Sequence, residues 1–101
     1  GKTLEEVAVE TEESMKRIKN KARVLFSMAY KGRLSMQKLY EKGMELEEET
    51  TRIYPNFWDD KGFSELKDAF EFIDELHDSS TKHYHSKNRE QIYYHMRQLS
   101  D

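Results

Sequence analysis

Carboxylates at helical spacing are the first residues of this sequence that could do chemistry. Glu45 and Glu48 stand three apart, as do Glu71 and Asp74, and Glu65 and Asp68. Residues three apart share a helix face, so each pair would offer hard oxygen donors to one divalent cation. A cation held that way can polarise a phosphoryl oxygen or generate hydroxide near neutral pH. Arg89 and His95, with five residues between them, offer a cation and a general acid or base. His77, three after Asp74, adds a carboxylate–imidazole pair, although a helical di-metal site needs two such pairs and two further carboxylates. His83 and His85 are two apart, the wrong spacing for one helix face. No glycine-rich phosphate loop and no nucleophile elbow occurs. The chain has no cysteine, which leaves out disulfides and thiolate metal sites and fits a reducing, cytoplasmic setting.

Two of these spacings have counterparts in known families. Glu45-Leu46-Glu47-Glu48 reads ExxE, and Glu71-Phe72-Ile73-Asp74 reads ExxD. That order is similar to the motif of the MazG-like nucleotide pyrophosphohydrolases. The resemblance spans residues 45–74 and does not extend to the flanking pattern. It implies an all-α enzyme in which Glu45, Glu48, Glu71 and Asp74 bind Mg²⁺. The stretch from Arg89 to His95 resembles the RxxxxxH spacing of HEPN-type helical ribonucleases, which implies an Arg–His pair cleaving RNA across a dimer. Glu90 departs from that pattern, where the family usually has a small polar residue. With 20 acidic residues in 101, such acid spacings recur by chance, and the expectation adopted is of solvated helix faces.

The elements that must position these residues are helices. Gly (4) and Pro (1) are scarce while Glu, Lys, Leu, Met and Arg are plentiful, and no alternating run reads as a strand. Thr3 followed by Glu6 forms a capping box that starts a helix at Leu4. Stepping alternately by four and three gives Leu4, Ala8, Thr11, Met15, Ile18, Ala22, Leu25, Ala29, Gly32, Met36, Leu39, Gly43, Leu46, Thr50 and Ile53, none of them charged. This is the seam of helices packed at a shallow angle, as in coiled coils and bundles. Two architectures fit it. One is an unbroken helix over residues 3–53, about 75 Å long. The other breaks at Gly32, where Lys31-Gly32 would form a C-cap. Pro55 ends the segment. Tyr54, Phe57, Trp58 and Phe63 crowd the corner that follows and are expected to plug the open end of a hairpin. A second seam runs Phe63, Leu66, Phe70, Ile73, His77, Ser80, Tyr84, with His77 expected as a hydrogen-bonded core histidine. Residues 79–87 read as a frayed end or loop, and Asn88 as the cap of a short last helix carrying Ile92, His95, Met96 and Leu99.

Charge is arranged in blocks. Residues 16–40 hold eight cations and no acid, and residues 59–78 are strongly acidic. On a helical wheel Lys16, Lys19, Arg23, Lys31 and Lys38 share one side, opposite Ile18, Ala22, Leu25, Ala29, Met36 and Leu39. Such a face suits an acidic protein, an anionic membrane surface or nucleic acid. The internal alternative pairs it with the acidic segment in a hairpin. A net charge of −3 and the lack of interleaved aromatics argue against nucleic acid. No run of about 18 apolar residues is present, and no signal-peptide pattern opens the chain. Gly1 in place of Met points to a trimmed chain.

These observations predict one all-α domain over residues 1–101, a helical hairpin or bundle of three to four helices. With 36% apolar and 37% charged residues, the core is lean, which fits either apolar surface completed by a second copy or a partner, or a bundle whose helices need only one apolar stripe each. The expected function is non-catalytic: a helical interaction or scaffold module, self-associating, binding a partner protein through helix faces. Lys16, Lys19, Arg23, Lys31 and Lys38 on the basic face, with Phe57 and Trp58 at the aromatic corner, are the expected contacts. No catalytic residue, metal or cofactor is assigned.

Overall fold

The computed structural model describes residues 1–79 and 84–100. Among the described residues there are four α-helices: α1 (Leu4–Tyr30), α2 (Met36–Ile53), α3 (Ser64–Asp78) and α4 (Tyr84–Gln98). Two short 3₁₀ turns, Phe57–Asp59 and Lys61–Phe63, join α2 to α3. No strand occurs among the described residues. Ser80 and His83 lie outside them, as do the side chains of Tyr84 and His85. The last helix starts at Tyr84, so Asn88 is an interior residue of α4 and not its cap.

The capping box at the start of α1 forms as the sequence dictates, with the Glu6 amide donating to the Thr3 hydroxyl oxygen at 3.1 Å. The long seam breaks at Gly32, which settles the choice between one helix and two. Gly32 takes φ +72°, a left-handed conformation that costs a residue with a Cβ about 1–2 kcal/mol. Its amide donates to the Ala29 carbonyl at 3.1 Å, and the Arg33 amide reaches back to Met28 at 2.9 Å. The Ala29 and Met28 carbonyls of the last turn are thereby satisfied. Ser35 then caps α2 by accepting from the Lys38 amide at 3.1 Å. The 4-3 register continues through the turn because both helices present it to the same core.

Cross-contacts fix the topology. Lys21 of α1 meets Glu49 of α2, so these helices are antiparallel. Gly43 of α2 lies against Ile73 of α3, where a Cβ would come within 3.0 Å of the Ile73 Cδ1. The Phe26 and Phe72 rings are 6.1 Å apart and Lys19 meets Glu65, the same sequence offset, so α1 and α3 run parallel. His95 of α4 stacks on Phe72 at 4.6 Å, while Arg89 of α4 meets Tyr30 at the far end of α1. The result is an up-down-up-down bundle in which α1 neighbours α2 and α4, and α3 lies across the diagonal.

The core contains Met15, Ile18, Ala22, Phe26, Leu39, Leu46, Leu66, Phe70, Ile73 and Ile92. Thr50, the buried polar residue of the seam, donates its hydroxyl to the Leu46 carbonyl at 2.7 Å, which spares it an unsatisfied group. The seam is buried or half-buried from Met15 to Ile53, apart from Gly32 in its turn. It is not buried at its start. Leu4 and Ala8 are exposed and Thr11 is only half-buried. The reason is length: α1 has 27 residues, α2 18 and α3 15. The first three turns of α1 extend beyond the bundle, and the molecule measures 50 × 23 × 22 Å.

Candidate functional site

The carboxylates singled out by spacing do not converge. Leu46 and Gly43 take the core-facing positions of α2, which turns Glu45 toward α1, where it lines a groove with Lys21, Lys42 and Glu49. Glu48 faces out beside Met44 and Arg52. Glu71 lies in a different groove, between α3 and α4, with Asp68, Glu75 and His95. Asp74 instead influences Glu47, whose carboxyl is pushed up, first by partial burial and then by the charges of Asp74 and Glu48. Among the described residues no group of three or more histidines and acids is placed to hold a metal ion. The ligand set implied by the MazG-like spacing is therefore not assembled.

Arg89 and His95 also part company. The Arg89 guanidinium sits 4.0 Å from the centre of the Tyr30 ring and donates to the Tyr30 carbonyl at 3.0 Å. His95 faces the opposite way, between Phe72 and Phe26, with its Nδ1 buried and without a hydrogen-bond partner. Burial lowers its pKa, against the opposing pull of Asp68 and Glu75. His77 stacks on Tyr40 at 3.6 Å.

The basic face is dispersed. The turn at Gly32 carries Lys38 onto the antiparallel α2, where it pairs with Glu41 at 3.4 Å. Lys31 becomes the C-cap of α1. Lys19 binds Glu65 at 3.0 Å, Lys16 lies 3.7 Å from Glu12, and Arg23 bonds the Asn20 side chain at 2.7 Å. The wheel that grouped these five assumed a continuous helix, and the reversal removes that condition. Internal pairing with the acidic segment is limited as well: Lys19 reaches Glu65 of α3, but Lys21 goes to Glu49 of α2.

At the aromatic corner, Phe57 is fully buried against Phe63 and Phe70 and presents no surface to a partner. Trp58 packs on Phe57 and Phe70 yet remains 40% exposed. Tyr54 donates to Asp60 at 2.5 Å, and Asp60 also accepts from the Gly62 amide, which together hold the Asp60 carboxyl below its ordinary range. The corner is thus a closed plug with one open ring.

What sequence reasoning missed is the projecting start of α1. Leu4 is 90% exposed, Val7 46% and Val9 52%. Glu5, Glu6, Glu10, Glu12 and Glu13 flank them, and Lys2 pairs with Glu10. The available signal was the unequal length of the helical patterns. Beside this segment's continuation, the groove between α1 and α2 has a volume of about 360 Å³, with Val24, Leu25 and Leu46 among its lining. No helix among the described residues is long and apolar enough to cross a membrane. Compared with known protein families, with curated proteins and with solved structures, the chain matches none of them.

Proposed function

We propose that this chain is a non-catalytic helical interaction module whose working surface is the projecting segment of α1, residues 4–14. One observation carries the reading. Three large apolar side chains, Leu4, Val7 and Val9, stand exposed on a capped helix that leaves the bundle. A helix of about ten residues without tertiary contacts is marginal in water, so a partner that covers this segment gains from apolar burial and from ordering it. The mode is recognition of a helix by a groove or by another helix. The acidic flank of the segment favours a basic protein surface and disfavours an anionic membrane. The test is site-specific photo-crosslinking in cells that express the chain. A photoreactive residue at Val7 is expected to give discrete covalent adducts, whereas one at Met44, equally exposed on α2, gives none. Leu4→Glu should abolish the adducts while leaving the helical circular dichroism of the chain unchanged. Absence of adducts at Val7, or equal adducts at both positions, overturns the assignment.

A further inference from the structure

We infer that the occupant of the projecting segment is the groove between α1 and α2 of a second copy, entered by two-fold antiparallel pairing of α1. The inference rests on the reading of residues 4–14 as the working surface and names its partner.

The flank of α1 that borders α2 carries its own 4-3 seam: Val7, Glu10, Ser14, Arg17, Lys21 and Val24. Its charge changes sign at Ser14. Acids Glu5, Glu6, Glu10, Glu12 and Glu13 precede that point, and cations Lys16, Arg17, Lys19, Lys21 and Arg23 follow it. A helix with this order is complementary to itself only when antiparallel and centred near Ser14. That register sets Glu10 of each copy opposite Arg17 of the other, and Glu6 opposite Lys21. A parallel pair would set acid against acid. So would a shorter overlap of the projecting segments alone, centred near Val9. Among the described residues Glu6 has no cation partner within the chain and Arg17 no acidic one, whereas Glu10 pairs with Lys2 and Lys21 with Glu49, exposed pairs that the second copy shares or replaces.

Reach agrees with charge. From Ser14 to Leu4 is ten residues, and from Ser14 to Val24 is also ten, each about 15 Å along the helix. The tip of one copy therefore arrives at the apolar floor of the other's groove, formed by Val24, Leu25 and Leu46. On the wheel, Glu6 and Glu10 then face the partner's α1. Val7, Thr11 and Leu4 lie progressively farther toward its α2, so the same rotation that pairs the charges also buries Leu4 and Val7, while Val9, two residues from Val7, stays on the opposite side of the helix. Each bundle gains a fifth helix at the groove.

The experiment is a charge swap read by sedimentation and light scattering, on a chain whose positions 10 and 17 are both exposed and outside the core. The unaltered chain is expected to be a dimer. Glu10→Arg alone and Arg17→Glu alone should each weaken self-association by at least roughly tenfold. The double variant Glu10→Arg with Arg17→Glu should restore it. Because the chain has no cysteine, Ser14→Cys should give a disulfide-linked dimer under mild oxidation, and Thr51→Cys on α2 should not. A monomeric unaltered chain, a dimer indifferent to either single change, or a double variant that fails to recover would each overturn the inference. If the chain is monomeric while Val7 still crosslinks to a foreign protein, the working surface stands and only its occupant is wrong. If Val7 crosslinks to nothing, both fall.

Discussion

His95 has been placed where its charge is least welcome. Its ring lies against Phe72 at 4.6 Å and Phe26 at 5.7 Å, with Nδ1 buried and unbonded. Burial lowers its pKa in the folded chain, and the carboxylates of Asp68 and Glu75 oppose this only in part. The unfolded chain therefore takes up the proton more readily than the folded one. His95 contributes its stability in full above the ordinary imidazole value, and that contribution is lost as pH falls through the lower folded value. Urea unfolding compared at neutral pH and at about pH 5 should show the acid-side loss, and His95→Phe should flatten it by keeping the ring and removing the proton site. An unchanged slope in the variant would place the acid sensitivity elsewhere. None of this was legible at His95 itself. Its two aromatic neighbours come from α1 and α3, far away in sequence, and the Arg–His spacing gave no hint that the two side chains face opposite ways.

At the scale of the helix, α1 divides into two parts with different duties. From Met15 onward its inner face is core, and before Met15 it touches little. In the Arg17→Glu chain, diluted to the monomer, removing residues 1–11 is expected to change the bundle's stability by less than about 0.5 kcal/mol. Denaturant unfolding of the shortened chain checks this, and a loss of several kcal/mol would mean that the segment folds back against the bundle. The apolar periodicity of α1 and α2 was fully visible in the sequence, as were the Thr3 cap and the stop at Pro55. The break at Gly32 could not be decided from periodicity, because a hairpin whose two arms face one core preserves the same spacing as a straight helix. Only the left-handed φ of Gly32 and the returning amides of Gly32 and Arg33 distinguish the two. The start of α4 was misjudged for a different reason: the polar stretch before Asn88 carries no apolar stripe, yet Tyr84–Gln98 is helical.

For the whole molecule, the surplus length of α1 is written into its dimensions. The radius of gyration is 14.4 Å, above the roughly 13 Å of a compact chain of this size. X-ray scattering of the Arg17→Glu chain, diluted to the monomer, should recover the larger value, and one near 13 Å would indicate that the projecting turns collapse onto the bundle. The bundle class was readable from composition and seam alone, since scarce glycine and proline leave helices as the only elements. The surface that we assign to binding was not. Its residues continue the same apolar pattern as the core, and nothing in that pattern states how long the neighbouring helices are. The placement of α1 also has a mechanical consequence. It packs along both α2 and α4, so a pull on its free tip along the helix axis loads those two contacts in shear, many side chains at once, and does not peel them apart in sequence. A cantilever anchored in this way transmits tension into the bundle, so anything that grips the tip holds the whole domain.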